Sequence, residues 1–72
     1  MSSNINYKPL FIDKVIEFHE VFPEYTLGEM LHSIITQLNK TGVDIKSKGD
    51  LLNLNNQQLY SAIDGAIKEE NE

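Results

Sequence analysis

The sequence predicts an all-α fold, a small three-helix bundle with an additional short helical turn near residues 48–54. Three observations lead there. Apolar residues recur at intervals of three and four along three separate stretches, the spacing that lines one face of an α-helix. Each stretch opens on a capping signal or a helix-compatible proline and closes on proline, glycine or a polar run. The one candidate strand, Val43–Ile45, is short and has no evident second strand to pair with.

Residues 1–7 are polar and are expected to form a mobile N-terminal arm ahead of a single helical domain over 8–69. Pro9 suits the first turn of a helix, where its missing N–H leaves no bond unmade. From Leu10 to Phe22, the residues Phe11, Val15, Phe18 and Phe22 repeat at helical spacing, with Ile12 and Ile16 beside them. Asp13, Glu17 and Glu20 share the opposite side. Pro23 ends this helix, because the residue before a proline is pushed out of the α region.

Thr26 followed by Glu29 has the spacing of a capping box, and Tyr25 with Met30 that of a hydrophobic staple. Leu27, Met30, Leu31, Ile34, Ile35 and Leu38 then mark one narrow core stripe along a second helix, which Gly42 closes as a left-handed cap. Ser47 and Asp50 are placed to cap a short turn that carries Leu51, Leu52 or Leu54 onto the bundle. Asn55 with Gln58, and Leu54 with Leu59, repeat the box and the staple ahead of a last helix from Asn56 to Lys68. Its apolar set is Leu59, Tyr60, Ala62, Ile63, Ala66 and Ile67, with Gly65 inside it. The acidic tail, 70–72, puts negative charge at the negative end of the helix dipole and is expected to fray.

Composition narrows the chemistry. The 72 residues include no cysteine, which leaves no disulfide framework and no thiolate metal site. A domain this small buries only about 60% of the surface its unfolded chain exposes, so packing or oligomerisation must stabilise it. Six lysines, no arginine and a net charge of −5 disfavour nucleic acid and anionic membranes, which call for a basic face. The longest apolar run is "LFI", far short of the ~20 residues of a membrane span. The polar start gives no secretory signal, and the expected compartment is the cytoplasm.

No catalytic residue, cofactor or metal is expected. His19 and Glu20 do not extend into the HExxH zinc pattern, because residue 23 is proline. His19 lies in the apolar arc of the first helix and His32 beside the stripe of the second; both read as packed or half-exposed. Asp13, Glu17 and Glu20 read as a solvated face, since paired acid–base carboxylates need burial or close repulsion. Residues 44–50 lack the alternating ligands of a calcium loop. Ser33, Ser47 and Ser61 have no nucleophile motif around them. An enzyme is therefore not expected.

Surface remains as the source of function. The apolar arc of the first helix spans roughly 160°, wider than the ~100° a surface helix needs, and the last helix is similarly broad. Excess apolar surface points to an interface. The expected function is that of a small acidic helical protein–protein interaction module that self-associates. Its partner contacts would be Phe11, Phe18 and Phe22 on the first helix and Tyr60, Ile63 and Ile67 on the last. In type, a small cysteine-free chain rich in Asn, Ile and Lys is like the accessory proteins of phages and mobile elements, among them those that bind or inhibit host proteins. Two other classes stay open. A nucleotide site at an oligomer interface would use Lys40, Lys46 or Lys48 with Tyr25 or Tyr60. A helix-turn-helix-like DNA-binding regulator would read bases with Asn56, Gln57 and Gln58, but that helix holds Lys68 as its only cation, and Asp64, Glu69 and Glu70 would repel phosphate.

Overall fold

In the computed structural model, which describes residues 5–71, four helices follow one another: α1 (Tyr7–Val21), α2 (Leu27–Lys40), α3 (Lys48–Leu52) and α4 (Asn56–Glu70). No strand occurs among the described residues. Each boundary is set by side chains close by in sequence. Asn6 caps α1 by accepting the Lys8 N–H at 3.2 Å, so the helix begins ahead of Pro9, which sits in its first turn. Tyr7, expected within the arm, is therefore helical, and its ring packs 5.4 Å from that of Tyr60. Residues 1–4 of the expected arm lie outside the described residues. At the other end the Phe22 N–H still bonds the Phe18 carbonyl at 2.8 Å, and Pro23 stops the helix.

The box at the start of α2 forms as predicted. The Glu29 N–H donates to Thr26 Oγ1 at 3.1 Å, and the Thr26 N–H donates to Glu29 Oε1 at 2.7 Å. Its far end closes as a Schellman motif: the Val43 N–H bonds the Leu38 carbonyl at 2.9 Å and the Gly42 N–H bonds that of Asn39 at 3.1 Å. Gly42 takes φ +88°, a left-handed conformation that costs a residue with a Cβ about 1–2 kcal/mol.

Ser47 starts α3 by accepting the Asp50 N–H at 3.3 Å. The Asp50 carboxylate does not reciprocate to Ser47; it accepts the Lys46 N–H at 3.0 Å. Of the three nearby leucines only Leu54 packs on the core, while Leu51 and Leu52 are exposed. Asn55 and Gln58 complete the second box, with N–H to oxygen distances of 2.8 and 2.9 Å. The helix it opens continues past Lys68 to Glu70. Two donors hold Glu70 there: Tyr25 Oη and Ser33 Oγ each donate to its carboxylate at 3.2 Å. Glu72 lies outside the described residues.

Helix α4 lies between the other two long helices, packing against both. Tyr7 beside Tyr60 and Lys14 bonded to Asp64 run in the same order, so α1 is parallel to α4. Ser33 against Glu70 and Gln37 against Gly65 run in reverse order, so α2 is antiparallel. Helices α1 and α2 meet near the turn that joins them, where the rings of Phe18, Phe22 and Tyr25 stack with centroids 5.0 to 5.5 Å apart. The body measures 39 × 30 × 20 Å, broader than thick, as three helices laid side by side. Its core is Phe18 from α1, Met30, Ile34 and Leu38 from α2, and Ala62, Ile63, Ala66 and Ile67 from α4.

Candidate functional site

The six residues predicted to meet a partner are not free to do so equally. Phe18 and Ile63 have no exposed surface, and Ile67 is buried with them. Phe11 and Phe22 are half-buried against the same core, and Tyr60 is half-buried beside Tyr7. The breadth of the apolar face on α4 therefore has an internal cause. A helix packed on two sides needs two apolar faces, and Ile63 and Ile67 are spent within the fold.

The unspent aliphatic surface is elsewhere. On α1, Ile12 and Ile16 are 51% and 54% exposed; on α2, Leu27, Leu31 and Ile35 are 63%, 53% and 37% exposed. Residues four apart share a helix face, so each set forms a stripe. The α2 stripe runs alongside the buried Met30, Ile34 and Leu38, again four apart. What reads in sequence as one core stripe is two adjacent stripes, one inside and one out.

Both exposed stripes open on the same broad side of the molecule. Lys14 reaches back from α1 to Asp64, and Ile12 and Ile16 lie round the helix from it. Ser33, Gln37 and Lys40 reach from α2 to α4, and Leu27, Leu31 and Ile35 lie round that helix from them. With α1 and α2 antiparallel on either side of α4, these turns bring the two stripes to one face. The α1 row is bounded by charge, with exposed Lys8 four residues before Ile12 and exposed Glu20 four residues after Ile16, whereas the α2 row runs on to the uncharged Asn39. His19 belongs to the α1 stripe by spacing; its ring sits 5.5 Å from Phe18, and its Nε2 is enclosed without a hydrogen-bond partner.

An ion-paired group lies on the opposite side. Lys14 bonds Asp64 at 3.0 Å and Glu17 at 3.2 Å, and Lys68 bonds Asp64 at 3.1 Å. Burial would push the Asp64 carboxyl up, but hydrogen bonds from Lys14 and Lys68 outweigh it and hold the group below the usual carboxylate range. The same bond to Asp64 raises Lys14. At the α2–α4 edge, a hydrogen bond from Lys40, seconded by Gln37, lowers Glu69. The bond to Glu70 raises the Tyr25 hydroxyl.

Of the residues named for a nucleotide, Lys48 is exposed at the start of α3, and the other four have partners within the chain. Lys40 is paired with Glu69, Lys46 with Asp44 at 3.1 Å, Tyr25 with Glu70, and Tyr60 with Tyr7. A cleft of about 360 Å³ between the end of α2 and the start of α4 is lined by Gln37, Leu38, Asn55, Gln58, Ser61 and Ala62 among others, and by none of those lysines or tyrosines. The DNA-reading helix would be α4, which is enclosed on two sides and whose Lys68 is bonded to Asp64. Among the described residues no cluster of three or more His, Cys, Asp or Glu is placed to hold a metal. No helix among them is long and apolar enough to cross a membrane. No family model, curated protein sequence or solved structure matches this chain.

Proposed function

We propose that the chain is a protein-binding module that works by laying the apolar α1–α2 face against a helix or groove of another protein chain. One observation carries this reading: Ile12, Ile16, Leu27, Leu31 and Ile35 stand exposed together on one side of a molecule whose ion pairs lie elsewhere. A contiguous apolar patch on a small domain marks a contact surface. Burial of that patch supplies affinity, while Asp13 and Glu20 at the outer edge of α1 select against acidic partners.

Capture from lysate separates this reading from the nucleotide and DNA readings. Immobilised wild-type chain is compared with Ile16→Glu, Leu31→Glu and, as a control away from the face, Leu10→Glu. Proteins retained by the wild type and by Leu10→Glu are expected to be lost from both face variants, and retention is expected to persist in 0.5 M salt. Binding that survives Ile16→Glu and Leu31→Glu, or that collapses with salt in the manner of phosphate contacts, would remove the proposal.

A further inference from the structure

We infer that the cleft between the end of α2 and the start of α4 is a small-ligand site for a neutral, flat, carbonyl-bearing ring of about the size of a pyrimidine nucleoside. It shares no residue with the exposed aliphatic rows of α1 and α2, so it stands apart from the protein-binding reading. Its volume of about 360 Å³ falls within the roughly 300–1,000 Å³ of small-molecule pockets. Such pockets combine an apolar lining with a few convergent polar groups. Here the apolar part is Leu38 and Ala62, both buried, and half-buried Val43.

The polar part comes from the second capping box, whose two members both line the cleft. Asn55 Oδ1 accepts the Gln58 N–H at 2.8 Å, and Gln58 Oε1 accepts the Asn55 N–H at 2.9 Å. These bonds fix which end of each carboxamide is oxygen. They also hold in orientation the two NH2 groups, which are the donors left over. The first box, built from Thr26 and Glu29, commits a hydroxyl and a carboxylate and leaves no such donor. Gln57 and Ser61, four apart on one side of α4, add a third carboxamide and a hydroxyl to the lining.

Charge sets the ligand class. Among the described residues no charged side chain lines the cleft. A phosphate or carboxylate drawn into it would lose water without gaining a counter-ion. A carbonyl oxygen needs only donors, and the NH2 groups of Asn55 and Gln58 supply them. A flat ring sets its apolar face on Leu38, Val43 and Ala62 while the carbonyls at its edge meet the box. Uracil-type pyrimidines and cyclic imides carry that pattern.

The test is a titration of the full chain with uridine, followed by proton–nitrogen NMR, in which the side-chain NH2 signals of Asn55 and Gln58 report directly. Uridine is expected to shift these signals and the backbone signals of Val43 and Ser61, with saturation in the millimolar range. Asn55→Asp and Gln58→Glu keep the box, because carboxylates cap as carboxamides do, and each removes one NH2. Both should retain the wild-type helical circular dichroism and weaken uridine binding roughly tenfold. Asn56→Asp adds the same charge at a neighbour outside the cleft and should leave binding unchanged. Toluene, which lacks the carbonyls, and benzoate, which brings a charge, should not saturate the site. Absence of saturable shifts with uridine, affinity unaltered in both box variants, or equal binding of toluene or benzoate overturns the site as assigned. Protein capture through Ile16 and Leu31 is read separately, so either result leaves the binding-module reading to its own test.

Discussion

Ile16 and Phe18 are two residues apart and have opposite fates. Phe18 points into the middle of the helix layer, with no exposed surface and rings of His19, Phe22 and Tyr25 around it. Ile16 leaves half of its side chain in solvent. The difference decides which residue can serve a partner. Truncating a fully buried phenylalanine costs about 3–5 kcal/mol, a large share of the stability of a domain this small. Phe18→Ala is therefore expected to lower the melting temperature by tens of degrees or abolish the transition. Ile16→Ala, measured on monomer at low concentration, should move stability by no more than about 0.5 kcal/mol. Equal losses in the two variants would show that Phe18 is not the keystone of the core. Composition and spacing placed both residues on one broad arc; burial divides that arc into a core half and a free half.

At the scale of the element, the parts legible in the sequence are those that depend on near neighbours. The Thr26–Glu29 and Asn55–Gln58 boxes, the stop at Pro23 and the cap at Gly42 each involve residues within a few positions of one another. Their chemistry is complete before tertiary structure forms. The start of α1 was less legible, because Asn6 is a weaker mark than the Pro9 that follows it. The assignment of faces was not legible, because it depends on which helix lies in the middle. Alternation of wide and narrow apolar arcs is compatible with several orders of packing, and only contact between α4 and both neighbours explains why Ile63 and Ile67 are inside while Leu27 and Leu31 are out. Gly65 shows how close that contact is. A Cβ there would approach Gln37 Oε1 to 2.9 Å, but the obstacle is the tip of a flexible side chain. Alanine is favoured over glycine inside a helix by about 1 kcal/mol. With part of that offset by moving Gln37, Gly65→Ala should stabilise the protein by roughly 0.5 kcal/mol, read as a rise in the urea midpoint at constant slope. A fall in the midpoint would mean that Gln37 cannot yield and that the α2–α4 seam is tighter than side-chain adjustment allows.

Across the whole molecule, the Lys14–Asp64–Lys68 group is the ionic tie between two helices, and pH tests it. Asp64 joins α4 to α1 through Lys14 and accepts from Lys68 on its own helix. Its carboxyl is held below its ordinary value of 3.8 in the folded chain. A depressed carboxylate contributes stability that is complete above the unfolded value and disappears as pH falls through the folded one. Lys14 is raised above 10.5, so its share is complete below that value and is lost only as pH rises through the raised one. The ionic tie is thus intact across the neutral range and fails at both extremes. Asp64→Asn keeps the shape of the side chain and removes the charge. At pH 7 it should cost on the order of 1 kcal/mol, as expected for a partly exposed pair. The gap between the two proteins should then close as pH is lowered from 5 to 2, because the wild-type carboxyl becomes neutral as well. High salt at pH 7 should narrow the gap in the same direction through screening. A gap that stays constant from pH 7 to pH 2 would show that Asp64 acts through shape and not through charge, and α1 would then be held to α4 by its aromatic and aliphatic contacts alone.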